Sequence, residues 1–558
     1  MEIVKKDTDL LIIGGGAAGC FAAVEAKTQS PNLRCLIIEK AHIDRSGCLA
    51  MGLNAINAYL HPGESPESYL NHVKQEFMGL VREDLVLSIA RGLNDTVKRV
   101  EQWGLPIEKG PDGNYKPRGR RAIRIIGERL KPILAEAVRR HRVEVLNRVA
   151  VTNLILKEGK VVGAFGLGVR DGTLYVIRAK GVIIATGGAS GLYKPPNPGS
   201  ARHLMWYCPW NVGTGYAIGL RAGAEMTSFE NRFIALRVKD VQAPTGTLAL
   251  GAGAKQVNAN GEPYLEKYYK DSPVKDSPTY FRLLSTVLEN RAGRGPCYLD
   301  LNHLDAQTLR QFKEDLLNMS PSMLLMLSSR DNGDYRFEIT GSEPYVVGGH
   351  GEAGYWVDVE RRTTLQGLYA AGDVAGGAPK KYVSGCWVEG QIAARTALKE
   401  INNGTLSSID EGAVKKEQVR VSMPLKDRKG IPPQEMEERL QKIMDEYAGG
   451  LSTQYELNEE KLRVGRALLK DLKAGVPNLE AKNHHELVSC MEVVDRIDVA
   501  RVVVEHLLYR KETRWPCSQS RLDYPKRDDA HWLKFVNSVM DVDTGEIQIL
   551  EKGLNGKD

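Results

Sequence analysis

Short apolar runs that lead into glycine recur along the chain and predict buried parallel strands. Leu10 to Ile13 is the first run, Cys35 to Ile38 is the second, and Val182 to Gly188 (VIIATGG) repeats the pattern later. Continuous apolar runs of this length are typical of parallel strands covered on both faces. Helical patterns, from Pro66 to Trp103 and around Lys131 to His141, lie between the runs. The pattern therefore predicts an α/β fold.

The first apolar run is followed by three glycines in GxGxxG spacing, which are Gly14, Gly16 and Gly19. The first permits a tight turn, the second lets the main chain approach a pyrophosphate, and the third lets a helix pack against the strand. The first N–H groups of that helix, at Ala17 and Ala18, would face the phosphates. Glu39 follows roughly 20 residues after the glycines, where a carboxylate accepts hydrogen bonds from an adenosine ribose. Together these features predict a dinucleotide site.

Two later segments distinguish FAD from NAD. VIIATGG at 182–188 and LQGLYAAGDVAGG at 365–377 repeat the strand-to-glycine pattern, and this triple pattern resembles the flavoproteins with two dinucleotide-binding domains. The resemblance implies FAD and makes Asp373, in the late GD pair, a flavin ligand. An aspartate at such a position is also an ordinary helix N-cap, which is compatible with that role.

Composition narrows the function classes. With 558 residues, 42% hydrophobic and 26% charged, the chain is expected to form two or three globular domains. A net charge of +6 is too dilute for a nucleic-acid partner, although it favours anionic substrates locally. We find no apolar run of membrane-spanning length, and charged residues at 2–8 lead directly into the first strand, so we expect a cytoplasmic protein without a membrane span.

Eight cysteines are scattered without a CxxC pair, so neither a zinc site nor an iron–sulfur cluster is predicted in this chain. If the protein is a reductase, its electrons must therefore come from another polypeptide or from a diffusible donor. The expected modules are a first part of a FAD-binding domain (1–236), a capping domain with irregular punctuation (237–340), the second part of the FAD-binding domain (341–405), and a C-terminal helical domain with an extended tail (413–558).

Longer stretches resemble the alpha subunits of adenylylsulfate reductases, within the succinate dehydrogenase and fumarate reductase flavoprotein superfamily. They are GLNAINAYL (52–60), GLVREDLVLSIARGLNDTVKRVEQWGLP (79–106), NVGTGYAIGLRAGAEMTSFENRFIALRVKD (211–240), GGHGEAGYWV (348–357) and SGCWVEGQIAAR (384–395). The resemblance covers nearly the whole chain. It implies a Rossmann-like FAD-binding domain of the fumarate reductase flavoprotein type, an inserted α+β capping domain and a C-terminal helical domain.

The resemblance also implies the residues of the site. Asn57 and Glu128 match residues near flavin and substrate, and His350 matches a histidine beside the reacting sulfur. Arg237 and Arg282 match arginines that bind the anionic substrate; as isolated residues they would more readily be ion-paired or surface arginines. The contacts with the adenylyl group are carried over to Trp206 and Leu250, although aromatic spacing at 206–210 alone would indicate core packing. Further cofactor contacts are carried over to Lys40, Ser46, Gly187 and Ser384.

The implied reaction is the reversible reduction of adenosine 5'-phosphosulfate to sulfite and AMP through a flavin N5-sulfite adduct. Electrons would come from a ferredoxin-like beta subunit that carries the iron–sulfur clusters. Gly47 stands where many fumarate reductases have a flavin-linked histidine, so we expect noncovalent FAD.

Two features bear on the alternative functions, and they point in opposite directions. Residues 381–386 lack the arginine with which the fumarate enzymes grip a carboxylate, which weighs against a dicarboxylate substrate, yet the capping domain is shorter than is typical between Leu301 and Gly341. The alternatives are a fumarate or enoate reductase, a succinate dehydrogenase-like subunit, or an electron-relay flavoprotein without a substrate of its own. An anion pocket argues against the relay, which would not need one.

Overall fold

The structure is a computed structural model of the 558-residue chain, and it describes residues 1–51, 53–119, 121–195, 205, 207–241, 245–269, 279–330, 333–401, 405–425, 429–517 and 519–556. Trp206, to which a contact with the adenylyl group was assigned, lies outside the described residues.

The first part of the chain contains both strands and helices. Its strands are β1 (Ile3–Asp7), β2 (Leu10–Ile13), β3 (Cys35–Glu39), β4 (Ala55–Asn57), β5 (Ala122–Arg124), β6 (Glu144–Asn147), β7 (Val149–Lys157), β8 (Lys160–Gly168), β9 (Leu174–Arg178), β10 (Gly181–Ile184) and β11 (Met226–Thr227). Its helices are α1 (Ala17–Gln29), α2 (Pro66–Glu76), α3 (Glu83–Ala90), α4 (Leu93–Gln102), α5 (Leu130–Arg140) and α6 (Thr214–Arg221).

The middle of the chain is a small α+β unit. Its strands are β12 (Leu236–Val238), β13 (Lys255–Val257), β14 (Tyr298–Asp300) and β15 (Arg336–Gly341). Its helices are α7 (Thr245–Gly251), α8 (Leu265–Tyr269), α9 (Thr279–Arg291), α10 (Ala306–Met319) and α11 (Pro321–Ser328). The strands form an antiparallel sheet in the order β12-β15-β14-β13, so the unit begins and ends on neighbouring strands. An insertion that starts and stops at one place can form its own core without disturbing the host domain.

The remaining chain returns to the first unit and then becomes helical. Its strands are β16 (Gly354–Tyr355), β17 (Leu368–Ala370), β18 (Glu456–Leu457), β19 (Ser520–Arg521), β20 (Phe535–Met540) and β21 (Ile547–Lys552). Its helices are α12 (Tyr382–Ile401), α13 (Glu411–Ser422), α14 (Pro433–Tyr447), α15 (Glu459–Ala474), α16 (His484–Tyr509) and α17 (Asp529–Trp532). None of the helices described is long and apolar enough to cross a membrane.

The central sheet has the strand order β17-β10-β2-β3-β6, and all its pairings are parallel. The apolar runs identified in the sequence form β2, β3 and β10, and every residue of these strands is buried. Gly14 follows β2 with a φ of +103°, and a Cβ atom there would lie 2.5 Å from the carbonyl oxygen of Ala185. Only glycine fits this turn, so the α/β prediction and the predicted turn agree with the structure.

The extended tail pairs within the chain. Strand β20 lies between β11 and β21 in a four-stranded antiparallel sheet, so the last part of the chain is bound to the part before the capping unit. This placement brings the C-terminal helices, α16 above all, against the FAD-binding part through contacts with α6.

Candidate active site

A cavity of about 1440 Å³ opens at the carboxyl ends of β2, β10 and β17. Parallel sheets bind their ligands at this edge, where the strands end and the chain turns into loops. The capping unit and α16 close its other sides through residues such as Leu250, Arg282 and Met491. The volume exceeds the roughly 300–1,000 Å³ of a typical small-molecule pocket, so the cavity has room for a dinucleotide and a second ligand.

Most of the residues predicted from the sequence meet in this cavity. Those among its lining residues are Gly14, Gly16, Ala17, Ala18, Glu39, Lys40, Asn57, Gly187, Leu250, Arg282, His350 and Asp373. They come from the first part of the chain, the capping unit and the returning chain.

Five other predicted residues lie beside the cavity or away from it. Gly19 packs within α1 against the Gly14 turn, and the Ser46 hydroxyl donates to the Gly15 carbonyl at 3.3 Å. Ser384 donates to the carbonyl oxygens of Asn57 and Ala58, at 2.7 and 3.0 Å, so it supports the strand that carries Asn57. The two remaining residues are Arg237, which is fully buried, and Glu128, which is exposed in a single 3-10 turn.

Arg237 belongs to an ion pair inside the capping unit. Its Nη1 atom lies 3.7 Å from Oε2 of Glu343, and both side chains are fully buried. Glu343 also accepts a hydrogen bond from the hydroxyl of Tyr345, whose ring packs against Tyr207. Among the described residues that line the cavity, Arg282 is present and Arg237 is not. Arg237 lies behind the wall, where its ion pair with Glu343 connects it to Tyr345 and Tyr207.

The glycine turn is held by two charged residues. Glu39 accepts hydrogen bonds from the main-chain N–H groups of Gly15 and Ala41, each at 2.8 Å. Lys131, in α5, is almost fully buried and donates to the carbonyl oxygen of Gly15. The sequence gives no sign of this role for Lys131, because a lysine in an amphipathic helix is ordinarily solvated. A cation beneath the turn adds positive charge at the place predicted for the phosphates.

Asp373 lines the cavity in the turn that follows β17. The Tyr207 hydroxyl donates to its Oδ2 atom at 2.7 Å, and the Cys386 thiol lies 3.6 Å from its Oδ1 atom. A Cβ atom on Gly349 would lie 1.8 Å from Oδ1, so the glycine-rich segment before His350 can pass Asp373 only because it lacks a side chain. Tyr207, also missed from the sequence, thus fixes the predicted flavin ligand.

The cavity fits FAD on the evidence of its own atoms. The Oγ1 atom of Thr186 is buried, lines the cavity and has no hydrogen-bond partner among the described residues, so it is suited to a ligand. Glycines at 14, 16, 47 and 187 leave backbone exposed along the wall. The structure is therefore consistent with a flavin lying along the ends of the strands.

His350 also lines the cavity, where it lies between aromatic rings. Its ring centroid lies 4.6 Å from that of Phe233 and 5.0 Å from that of Tyr382. Burial lowers the pKa of His350 to about 4; Asp373 opposes this effect and Lys380 adds to it. The imidazole is therefore neutral at pH 7, able to exchange a hydrogen bond with a ligand but unable to supply positive charge.

Two consecutive lysines in the 380–386 segment have different surroundings. Lys381 is fully buried, and its Nζ atom donates to the carbonyl oxygens of Gly372 and Ala375 and to Glu389. Lys380 instead lines the cavity and lies 2.5 Å from Oε2 of Glu76. Lys380 thus lies one residue before the 381–386 segment that lacks the arginine of the fumarate enzymes.

Comparisons with known proteins agree with this architecture. The family described as FAD binding domain matches residues 9–386, and the family described as fumarate reductase flavoprotein C-term matches residues 437–557. The fold and the cavity thus define a FAD-dependent oxidoreductase of the fumarate reductase flavoprotein superfamily.

Similarity along the whole chain is more specific. The chain is 31% identical to the adenylylsulfate reductase subunit alpha of Megalodesulfovibrio gigas, over 99% of this chain and 96% of the relative. Two solved structures match with a TM-score of 0.93 and 37% identity, over 99% of this chain and 96% of each; they are adenylylsulfate reductase from the hyperthermophilic Archaeoglobus fulgidus, and adenosine-5-phosphosulfate reductase in complex with sulfite as a covalent adduct. This chain belongs to the family of adenylylsulfate reductase alpha subunits.

Proposed function

We propose that this protein reduces adenosine 5'-phosphosulfate to sulfite and AMP, and catalyses the reverse reaction at the same site. The observation that carries the proposal is one continuous cavity that joins the dinucleotide turn at Gly14 to Arg282 and His350. FAD, when bound, supplies the two electrons that the substrate sulfur gains. The bond between sulfur and the bridging oxygen breaks, and AMP leaves with that oxygen.

The anionic substrate requires cations, and the cavity provides them. Those that line it are Lys40, Arg45, Arg118, Arg121, Arg124, Arg282, Arg310 and Lys380. Guanidinium groups suit phosphate and sulfate oxygens because they offer several N–H donors in one plane. We assign Arg282 to the substrate anion and Leu250 to the apolar face of the adenylyl group. Arg237 then stabilises the wall behind Tyr345 and Tyr207.

His350 fits a neutral hydrogen-bonding role beside the sulfur. A neutral imidazole can donate to a sulfite oxygen through one nitrogen, and the rings of Phe233 and Tyr382 hold its plane. Asn57, at the end of β4, lines the same cavity, and Ser384 donates to its carbonyl oxygen. The residues of the chain thus position the substrate and stabilise its charge, while the cofactor carries the electrons.

The electrons are expected to come from an iron–sulfur beta subunit. We propose this partner because the chain resembles the alpha subunits of adenylylsulfate reductases along almost its whole length. The cytoplasmic location, the noncovalent attachment of FAD and the module boundaries remain predictions from the sequence.

The test is sulfite oxidation by the FAD-loaded protein with ferricyanide as acceptor, with and without AMP, beside a reduced-viologen assay with fumarate. Oxidation that requires AMP and falls at least 100-fold in Arg282→Ala would support the proposal. Fumarate reduction without AMP-dependent sulfite oxidation would support the dicarboxylate alternative. Silence in both assays would contradict the proposal and favour an electron relay.

A further inference from the structure

Lys380 is a buried cation in the wall of the cavity. Its side chain is 9% exposed, yet it lines the cavity together with His350 and Arg282. The backbone at Lys380 has a φ of +61°, a left-handed conformation that is uncommon for residues other than glycine. The Tyr69 hydroxyl donates to the Lys380 carbonyl oxygen at 2.6 Å and holds the residue in place. The fold therefore holds this lysine at the wall in a strained conformation.

The charge of Lys380 is retained despite its burial. Burial by itself lowers the pKa of Lys380, but the nearby Glu76 and Tyr382 more than offset this effect, and the pKa is raised. Burial likewise raises the pKa of Glu76, and the charge of Lys380 reverses that effect, so the pKa of Glu76 is lowered. Both groups are charged at pH 7.

The described residues do not use all the hydrogen-bond donors of Lys380. An ammonium group has three N–H donors, and the ion pair with Glu76 uses one of them. Neighbouring Lys381 gives its donors to three acceptors, Gly372, Ala375 and Glu389, and does not line the cavity. Lys381 therefore has a structural role, whereas Lys380 is able to bind a ligand.

The need for a cation at this end follows from the state of His350. The imidazole is neutral at pH 7. The Tyr382 ring contacts this imidazole, and the Lys380 Nζ atom lies 6.0 Å from the centre of the same ring. A sulfite or sulfuryl group beside His350 carries negative charge, which a neutral ring balances only weakly. Lys380 brings a full positive charge to the same group of side chains.

We infer that Lys380 binds an oxygen of the sulfuryl group of the substrate, or of sulfite, and that Glu76 is a positioning residue that holds the ammonium group in place. The inference rests on the proposed function and names a residue of the same site. The contrasting hypothesis is that Lys380 and Glu76 form only a structural ion pair.

Three variants separate these hypotheses. Lys380→Met keeps an unbranched chain of similar length and removes the charge, Glu76→Gln keeps the cation but loosens it, and Lys473→Met is the matched control. Lys473 is paired with Asp498 at 2.5 Å, outside the residues that line the cavity. Three quantities are measured for each FAD-loaded variant. The dissociation constant of sulfite is measured from the change in flavin absorbance, and the dissociation constant of AMP is measured by calorimetry. The third quantity is the thermal midpoint.

Lys380→Met is expected to raise the dissociation constant and KM of sulfite about 10- to 100-fold, as expected for one hydrogen bond to a charged group. In Lys380→Met, the dissociation constant of AMP should change less than threefold, and kcat should fall by a smaller factor than KM rises. Glu76→Gln should weaken sulfite binding only a few-fold. Lys473→Met should match the wild type. If Lys380→Met destabilises the fold, the double variant Glu76→Gln/Lys380→Met removes the unpaired carboxylate and should still bind sulfite weakly.

Equal effects of Glu76→Gln and Lys380→Met, or unchanged sulfite binding in Lys380→Met, would overturn the inference and leave a structural ion pair. A wild type that oxidises sulfite with AMP while Lys380→Met behaves normally overturns the inference alone. A wild type without AMP-dependent oxidation overturns the proposed function, and the sulfite binding constants still report on Lys380. A wild type that binds no sulfite overturns both.

Discussion

The hydroxyl of Tyr207 donates a 2.7 Å hydrogen bond to Oδ2 of Asp373, a residue 166 positions further along the chain. The same hydroxyl accepts hydrogen bonds from the Gly188 N–H and from Asn211, each at 3.2 Å. One phenol thus joins the loops that follow β10 and β17. These loops form neighbouring walls of the cavity, so Tyr207 fixes the flavin end of the site.

Replacing Tyr207 with phenylalanine should loosen this end. The change leaves a buried N–H and one carboxylate oxygen without a partner, which costs about 1–3 kcal/mol. We expect the dissociation constant of FAD, measured by fluorescence titration, to rise about tenfold or more. Tyr509→Phe is the control, because Tyr509 donates to Glu551 on an exposed surface. FAD binding that is equally unchanged in both variants would show that Tyr207 does not organise the cofactor site.

Lys131 should affect FAD retention through the glycine turn. Lys131→Met removes the donor to the Gly15 carbonyl and a buried positive charge near the predicted phosphates. We expect FAD to dissociate at least tenfold faster during dilution or gel filtration, with a lower thermal midpoint for the apoprotein. Lys157→Met, which removes an exposed hydrogen bond to Ser408, should behave as the wild type does. Normal retention of FAD in Lys131→Met would refute this role.

Substitution of the two predicted substrate arginines should have different effects: one should weaken substrate binding and the other should lower stability. Arg282→Ala should raise the KM for AMP and sulfite strongly and leave the thermal midpoint within about 2 °C, because the side chain lines the cavity. Arg237→Ala leaves Glu343 buried without its counter-charge, a change that costs about 3–5 kcal/mol. Its activity should therefore fall together with the folded fraction.

Steady-state kinetics combined with differential scanning fluorimetry checks both variants. A partial rescue of stability in Arg237→Met/Glu343→Gln, which removes both charges, would support the structural role. An Arg237→Ala protein of normal stability with a raised KM would instead place Arg237 on the substrate.

The lowered pKa of His350 predicts that the free energy of unfolding falls as the pH falls below 6.5. Because its folded pKa is about 4 and its ordinary value is 6.5, the unfolded chain takes up a proton as the pH falls through 6.5, whereas the folded chain does so only near 4. This group therefore removes stability between these values, by up to about 3 kcal/mol. His350→Asn should lose less stability than the wild type between pH 7 and pH 4.5, measured by denaturant unfolding of the FAD-loaded protein. Parallel losses would show that His350 titrates normally.

Local patterns allowed much of the fold to be predicted. Four-residue apolar runs followed by glycine identified β2 and β10, and the periodicity at 433–447 matches α14. The pattern failed where short elements meet: the segment from Pro66 to Trp103, taken as one helical stretch, is three helices, with a left-handed turn at Gly79 after the first. The capping unit read as irregular because strands of three residues are too short to show an alternating pattern.

The candidate site was predictable only where one segment carries a recognisable motif. Gly14, Glu39 and Asp373 stand at fixed offsets from strands, and family resemblance added His350 and Arg282. Tyr207, Lys131 and Lys380 were missed because their roles depend on partners from distant segments. Glu76 lies some 300 residues before Lys380, so no local pattern indicates that this lysine is buried, charged and placed beside His350.

The central claim is tested most directly by identifying the product made from sulfite and AMP. The FAD-loaded protein would be incubated with both compounds and ferricyanide, and the mixture analysed by liquid chromatography and mass spectrometry, with Arg282→Ala as the control. The account predicts adenosine 5'-phosphosulfate in amounts that match the ferricyanide reduced, and its loss in Arg282→Ala. Ferricyanide reduction without this product, or no reaction at all, would contradict it.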